Sequence, residues 1–237
     1  MILCDGKLNA LPPWPIREGS GPILTSHSSM SNWPIFVTAA HASPKALNRA
    51  LLLIQDFEYT KYPGDSTWVL LSSKELPSAP TAATALPLPP GGSTVNDFAS
   101  MSLADINAFV RARDAALETA DLSGLDWLVI DQTGLETSTC LVCERYYDDG
   151  EDGGEEGPTD EFRACRVPYE EAWIMIQNLH VGNMGFEEFV DEEAGVQADG
   201  SWKARASEPS AEDAGRSETE LERDKALQEL RYGGYAD

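Results

Sequence analysis

Residues 168–190 constrain the fold of this chain more than any other stretch, because proline, glycine and asparagine occur there where a helix must start and turn. Pro168 suits a first helical turn, since its fixed φ and missing N–H are harmless at that position, and a helix is predicted over about 168–181. Gly182 follows where a left-handed residue commonly ends a helix. Asn183 is predicted to cap a second helix. The stretch therefore predicts a helix, a tight corner and a second helix.

The rest of the chain supplies strands and helices that define the fold class. Strands rich in branched and aromatic residues are predicted at 50–55, 125–131, 139–147 and 162–167, the last two as a hairpin. A helical turn at 44–48 follows Ser43-Pro44, a helix runs from a cap at Asp65-Ser66 to Leu76, and another begins at Ser102. The predicted class is α/β, with α+β as the alternative. It is a single domain with a mixed sheet of about four strands flanked by helices.

The distribution of apolar residues places this domain at residues 43–193. Residues 1–42 are rich in proline and are predicted to be a flexible arm, in which Trp14 and Trp33 are exposed or loosely packed or, alternatively, dock on the domain or on a partner. A proline-rich insert at 77–94 is interpreted as a spacer, and an acidic loop is expected at 148–161. Residues 194–237 form an acidic tail that is partly helical and mobile.

Charge restricts the partners that this chain can bind. The sequence has 40 acidic and 17 basic residues, a formal charge of −23, and residues 144–237 alone carry 26 acids against 9 bases. Such a chain repels the phosphates of nucleic acids and anionic lipid surfaces, so neither nucleic acid nor a membrane is expected as a partner. A basic protein is the expected partner. Oligomeric state is not indicated by any pattern.

Four cysteines and the amino terminus bear on localisation. The first residues contain Asp5 and never build the apolar run of a secretory signal, which predicts an intracellular, cytoplasmic protein with reduced thiols. Cys140 and Cys143 have C-x-x-C spacing, but residues three apart in a strand point to opposite faces. No metal and no cofactor are therefore expected. The loop at 148–161 has calcium-binding residue types but lacks EF-hand spacing.

The chain resembles the uncharacterised microbial domain-of-unknown-function family numbered 6924 over about residues 50–193. The resemblance is carried by residues 51–57, 68, 129–131, 162–163, 166–168, 173, 178–179, 183–184, 186 and 189. It implies an α/β fold and supplies no catalytic residues. At His180 the family usually has a small polar residue, so the resemblance implies no family-wide catalytic role for this histidine.

Catalytic candidates are few because the sequence has none of the common nucleophile, phosphate-loop, dinucleotide or zinc-protease motifs. Asp56 and Asp131 end predicted strands, where acids commonly cap the following turn. The alternative is that they meet at one edge of the sheet, where paired carboxylates serve acid–base chemistry or hold Mg²⁺. His180 is the third candidate. A small enzyme built on these carboxylates is the alternative to a noncatalytic interaction or regulatory domain, which the missing motifs favour.

Five residues of the helix corner are candidates for contact with a ligand or partner. Asn178 and Asn183 are explained mainly by capping, whereas Glu187 and Glu188 point outward and are not explained by packing. Trp173 is the fifth candidate for contact with a ligand or partner. Whether the chain is catalytic at all stays open at this level.

Overall fold

The computed structural model describes residues 32–58, 66–89, 96–148, 157–206 and 217–237. In these ranges the strands are β1 (Trp33–Val37), β2 (Trp68–Leu71), β3 (Asp126–Ile130), β4 (Thr139–Asp148), β5 (Gly157–Pro168) and β6 (Trp202–Lys203). They form one sheet in the order β2-β1-β3-β4-β5-β6. β1 is parallel to β2 and β3, β4 is antiparallel to β3 and β5, and β6 is parallel to β5. The predicted mixed α/β sheet is confirmed, with six strands in the described ranges instead of about four.

Helices cover both faces of this sheet. They are α1 (Pro44–Leu53), α2 (Leu103–Ala112), α3 (Asp114–Thr119), α4 (Gln132–Thr137), α5 (Ala172–His180) and α6 (Glu218–Tyr232). Helices α1, α5 and α6 bury apolar residues in one core, and α2 and α3 do so in a second core across the sheet. Alternate residues of each strand face the two cores, which gives a three-layer arrangement.

The first strand was hidden in the predicted flexible arm. Trp33–Val37 is buried along its whole length and lies between β2 and β3, and Trp33 has no exposed surface. The prediction of flexibility is thus wrong for residues 33–42, which form β1 and the approach to α1. Pro34 misled the prediction, because proline lacks the N–H that a central strand normally uses. The remainder of the arm, residues 1–31, lies outside the described residues.

Two segments have a different type of secondary structure from the one predicted: a predicted strand is part of a helix, and a predicted helix is a strand. The strand predicted at 50–55 is the second half of α1, which starts at Ser43, whose side chain accepts from the Ala46 N–H at 3.1 Å. Its apolar run is buried on several sides because α1 lies between the sheet and α6, so no helical stripe is visible. The helix predicted after Ser66 is instead β2, the edge strand. A short, fully apolar strand lacks the alternation that would identify it.

The proline-rich insert and the tail also pack on the domain where they are described. The Thr84 N–H donates to Trp68 O at 2.8 Å and the Leu70 N–H to Thr84 Oγ1 at 2.8 Å, so the insert covers the free edge of β2. Helix α6 buries Ala226, Leu227 and Leu230 against the core that contains α1. The predictions of a spacer and of a mobile tail helix are corrected for these residues, because a few apolar side chains find a face already formed by distant elements.

Several local predictions are confirmed. Ser102 caps α2 in a reciprocal box with Asp105, and β4 and β5 form the expected hairpin. Most of the predicted acidic loop, residues 149–156, lies outside the described residues. No helix in the described ranges combines the length and the apolar character needed to cross a membrane.

Candidate functional site

The corner after α5 is built largely from local signals. Gly182 has φ of +65°, and the Asn183 N–H donates to Asn178 O at 3.0 Å, which confirms the predicted helix end. The predicted second helix is wrong: a 3-10 turn at Phe186–Glu188 follows, and the Glu188 carboxylate accepts from the Gly185 N–H at 3.0 Å. Asn183 therefore caps nothing.

The two asparagines of the corner bond to each other. Asn183 Nδ2 donates to Asn178 Oδ1 at 2.7 Å, and Asn178 Nδ2 donates to Ile174 O at 2.7 Å. Trp173 is half-buried and packs against the core. Three of the predicted contact candidates are thus occupied in shaping the corner.

A row of charged residues lies beneath this corner on the α5 side of the sheet. The register pairs Asp126 with Glu144 and Glu144 with Arg163, so three neighbouring strands present a charge at the same level. We call these three residues, together with His180 and Glu187, the charged row. Each strand continues with apolar residues on the same face, so the row lies at the border of the core.

Short polar contacts link the members of the charged row. His180 Nδ1 lies 2.9 Å from Asp126 Oδ2, and Arg163 Nε donates to Glu144 Oε2 at 2.7 Å. A second nitrogen of Arg163 binds Glu187, and its guanidinium lies 4.6 Å from the centre of the Phe186 ring. The contacts tie α5 and the 3-10 turn to three strands.

Burial sets the electrostatics of the row. The Asp126 side chain is only 4% exposed, and burial raises the pKa of its carboxyl although the hydrogen bond to His180 opposes this. Burial also raises the pKa of Glu144, against the effect of Arg163. The hydrogen bond to Asp126 raises the pKa of His180, which favours the imidazolium. Glu144 thus faces the Arg163 guanidinium, and Asp126 faces a cation when His180 is protonated.

This arrangement is suited to holding the corner in place. An aspartate bonded to histidine Nδ1 is also the orienting half of a catalytic triad, but that chemistry needs a nucleophile beside the other ring nitrogen. The cysteines do not provide one, because Cys140, Cys143 and Cys165 are fully buried and burial raises their pKa, that of Cys165 to about 12. Cys140 and Cys143 face different cores, as the strand repeat predicts.

The outer side of the corner is acidic. Residues 182–193 contain five acids, Glu187, Glu188, Asp191, Glu192 and Glu193, and no lysine or arginine. We call residues 182–193 the acidic corner. Glu188, Glu192 and Glu193 are exposed.

Backbone contacts fix the acidic corner to the segment around β6. The Asp191 N–H donates to Lys203 O at 2.9 Å, and the Arg205 N–H donates to Phe189 O at 2.8 Å. Val190 forms a β-bridge with Ala204, and Phe186 and Val190 are each 2% exposed. The exposed carboxylates therefore belong to a segment whose backbone is anchored and whose apolar side chains lie in the core.

The structure separates the two carboxylates that were predicted to meet. Asp131 follows β3 at the carboxyl ends of the parallel strands. Asp56 follows α1, which runs back to the amino end of β2, where Trp68 Nε1 donates to Ile54 O at 3.0 Å. The two acids lie at opposite ends of the strands, so they are separated along the strand direction by about the length of a five-residue strand, roughly 16 Å. The prediction of a shared site is wrong because Asp56 follows a helix and not a strand.

Asp131 is engaged within the fold. Its Oδ1 accepts from the Gly134 N–H at 2.7 Å, which caps α4, and Arg166 binds both carboxylate oxygens at 3.0 and 2.6 Å. Arg166 also contacts Asp199 at 3.1 Å. In the part of the chain that the structure describes, no three His, Cys, Asp or Glu side chains are grouped so as to hold a metal ion.

Sequence reasoning found His180 and Glu187 but missed Asp126, Glu144 and Arg163. A signal was present in the sequence. Each of these three residues lies two positions from an apolar residue of its predicted strand and therefore points to the same face of the sheet as that apolar residue. Their proximity depends on strand pairing across the sheet, which no local pattern encodes.

The fold and these residues define a mixed α/β domain with an internal charged row and an acidic corner. The model of the family described as a domain of unknown function (DUF6924) matches residues 81–205, and the chain belongs to this family. The match begins in the insert and ends beyond β6, later at both ends than the resemblance predicted. It contains the charged row and the acidic corner. No curated protein and no solved structure matches the chain.

Proposed function

We propose that this chain is a noncatalytic interaction or regulatory domain of the cytoplasm that binds a basic protein through its acidic corner. The observation that carries the proposal is that Glu188, Glu192 and Glu193 are exposed on a segment anchored in the core. Fixed charges bind with less loss of conformational entropy than charges on a free tail. Their sign favours a basic protein over nucleic acid or a membrane.

The engagement of the other candidate residues supports a noncatalytic role. Asp131 is bound by Arg166 and caps a helix, and His180 is bound by Asp126. Buried thiols with raised pKa values are poor nucleophiles. Three free, buried cysteines also fit a reducing intracellular compartment.

Two matched double variants test the acidic corner. Glu192→Lys with Glu193→Lys reverses two exposed charges there, and Glu75→Lys with Glu118→Lys reverses two exposed charges elsewhere. Both pairs change the net charge equally. Binding of fluorescein-labelled dodecalysine to the full chain is measured by fluorescence anisotropy at two salt concentrations. Replacing one glutamate by lysine turns an attraction to the peptide into a repulsion, a change of about 1 kcal/mol in binding free energy. The two replacements in the corner pair should therefore weaken binding about 30-fold.

The Glu75/Glu118 pair is the control that distinguishes binding at the acidic corner from a general attraction to the net charge of the chain. We expect the Glu75/Glu118 pair to weaken binding only a few-fold, and the salt dependence of the corner pair to be shallower than that of the wild type. Equal weakening by both pairs would show that only net charge matters and would refute the acidic corner as the binding surface. The same conclusion follows if the wild-type chain does not bind the peptide.

A further inference from the structure

A cavity of about 530 Å³ opens at the carboxyl ends of β1 and β2, beside the first turn of α1. Its aliphatic wall includes Val37, Leu47, Leu70 and Leu88. The volume is within the range of small-molecule sites, and ligands of open α/β sheets bind outside the carboxyl ends of the strands. The cavity lies outside the acidic corner and the charged row, so it does not depend on the function proposed above.

Hydrogen bonds made by residues of the lining hold the walls of the cavity in place. Asn96 Nδ2 donates to Val37 O at 2.5 Å, which fixes the segment that follows the insert against the end of β1. The Leu88 N–H donates to Asn48 Oδ1 at 2.7 Å, which fixes the outer wall against α1. The described part of the cavity is therefore formed by the fold before any ligand arrives.

Two polar side chains of the lining already form hydrogen bonds within the protein. Ser43 Oγ accepts the N–H that it caps, and Asn96 Oδ1 accepts the Phe98 N–H at 3.1 Å while its amide nitrogen is bound to Val37 O. Part of the hydrogen-bonding capacity at these two positions is thus already used. A ligand that needs many polar partners would lose its hydration without full compensation where it contacts the aliphatic wall.

Charge is also missing from the described lining. None of those residues is Asp, Glu, Lys or Arg, although these types make up 24% of the chain, and His41 at the exposed rim is the one titratable side chain among them. A charged group placed between Val37, Leu70 and Leu88 would be desolvated with no opposite charge beside it. The lining therefore selects against ions of either sign.

From these observations we propose that the cavity is a binding site for an uncharged, largely apolar small molecule with two or three rings. Volume, aliphatic walls and the lack of charge point to the same class of ligand. Binding would bridge the β1–β2 edge, the insert and α1, three parts of the chain distant in sequence.

Two fluorescent probes of nearly the same shape test the ligand class. N-phenyl-1-naphthylamine is uncharged, and 8-anilinonaphthalene-1-sulfonate differs from it by one sulfonate. Titrated into the full chain, the uncharged probe should saturate at one site with a blue-shifted emission. The sulfonate probe should bind at least tenfold more weakly. Equal or tighter binding of the sulfonate would overturn the assignment to an uncharged ligand.

Filling variants test the location. Ala42→Phe and, separately, Ala99→Phe add a ring at two walls of the cavity, and Ala115→Phe makes the same change on the exposed surface of α3. Each cavity variant should weaken binding of the uncharged probe tenfold or more, and Ala115→Phe should leave it unchanged. Ala99 is exposed, so its variant keeps the test valid even where Ala42→Phe fails to fold.

Three further results would overturn the proposal. They are an absence of saturable binding, unchanged binding in Ala99→Phe, and a dimer of the chain that the probe dissociates. The last result would assign the cavity to a second copy of this chain.

Discussion

Asn48 joins three segments that are far apart in sequence, and its replacement by alanine should loosen two of them together. The side chain is 1% exposed on α1. Its Nδ2 donates to Tyr235 O at 2.9 Å, beyond the end of α6, and its Oδ1 accepts from the Leu88 N–H at 2.7 Å in the insert. One amide thus holds both segments that the sequence predicted to be a mobile tail and a spacer.

The size of the effect follows from these two bonds. Breaking each bond and leaving its backbone partner unsatisfied costs about 1 to 2 kcal/mol, or about 2 to 4 kcal/mol for both. Alanine is a better helix former than asparagine by about 0.6 kcal/mol, which offsets part of this loss. We expect Asn48→Ala to lower the free energy of unfolding by about 1.5 to 3.5 kcal/mol.

Urea denaturation measures the loss, and hydrogen exchange locates it. In Asn48→Ala, amides of residues 84–89 and 227–236 should exchange faster together, while those of β3 and β4 keep their order of protection. Gln55→Ala is the matched control, because Gln55 Nε2 donates at 2.8 Å to Leu51 O within one turn and joins no second segment. Gln55→Ala should lower the free energy of unfolding by less than about 1 kcal/mol.

Faster exchange confined to one of the two segments would contradict the idea that Asn48 holds both. If Asn48→Ala loses no more free energy of unfolding than Gln55→Ala, the energies assigned to the two Asn48 hydrogen bonds are wrong.

Two further predictions concern the charged row and the thiols. Because the pKa of His180 is raised from 6.5 by its bond to Asp126, the stability lost in His180→Gln should be largest below pH 6.5 and shrink as the pH rises through the folded-state pKa. Urea denaturation from pH 6 to 9 measures this, and the same substitution in an Asp126→Asn background should show a flat profile; a parallel profile in both backgrounds would exclude the ion pair as its cause. Burial raises the pKa of Cys140, Cys143 and Cys165, so in a Cys4→Ser chain a disulfide reagent at pH 8 should react with no thiol before unfolding and with three in guanidinium. Rapid modification of one thiol in the folded chain would contradict their burial.

The sequence predicted the features whose cause lies within a few residues. The cap at Ser102, the hairpin of β4 and β5 and the left-handed Gly182 all depend on short-range hydrogen bonds and on residue-specific backbone preferences. Prediction failed where burial by other elements outweighed local composition. Pro34 concealed a central strand, and the buried run at the end of α1 imitated a strand.

For the candidate site, the sequence determined that an acidic corner containing Glu187 follows a helix, and that His180 ends this helix. Only the tertiary structure decided that Asp126, Glu144 and Arg163 lie beside one another beneath that corner, and that Asp56 and Asp131 do not meet. The physical reason is that capping and turning involve neighbouring residues. Strand order and register instead follow from the burial of whole faces, which couples residues tens of positions apart.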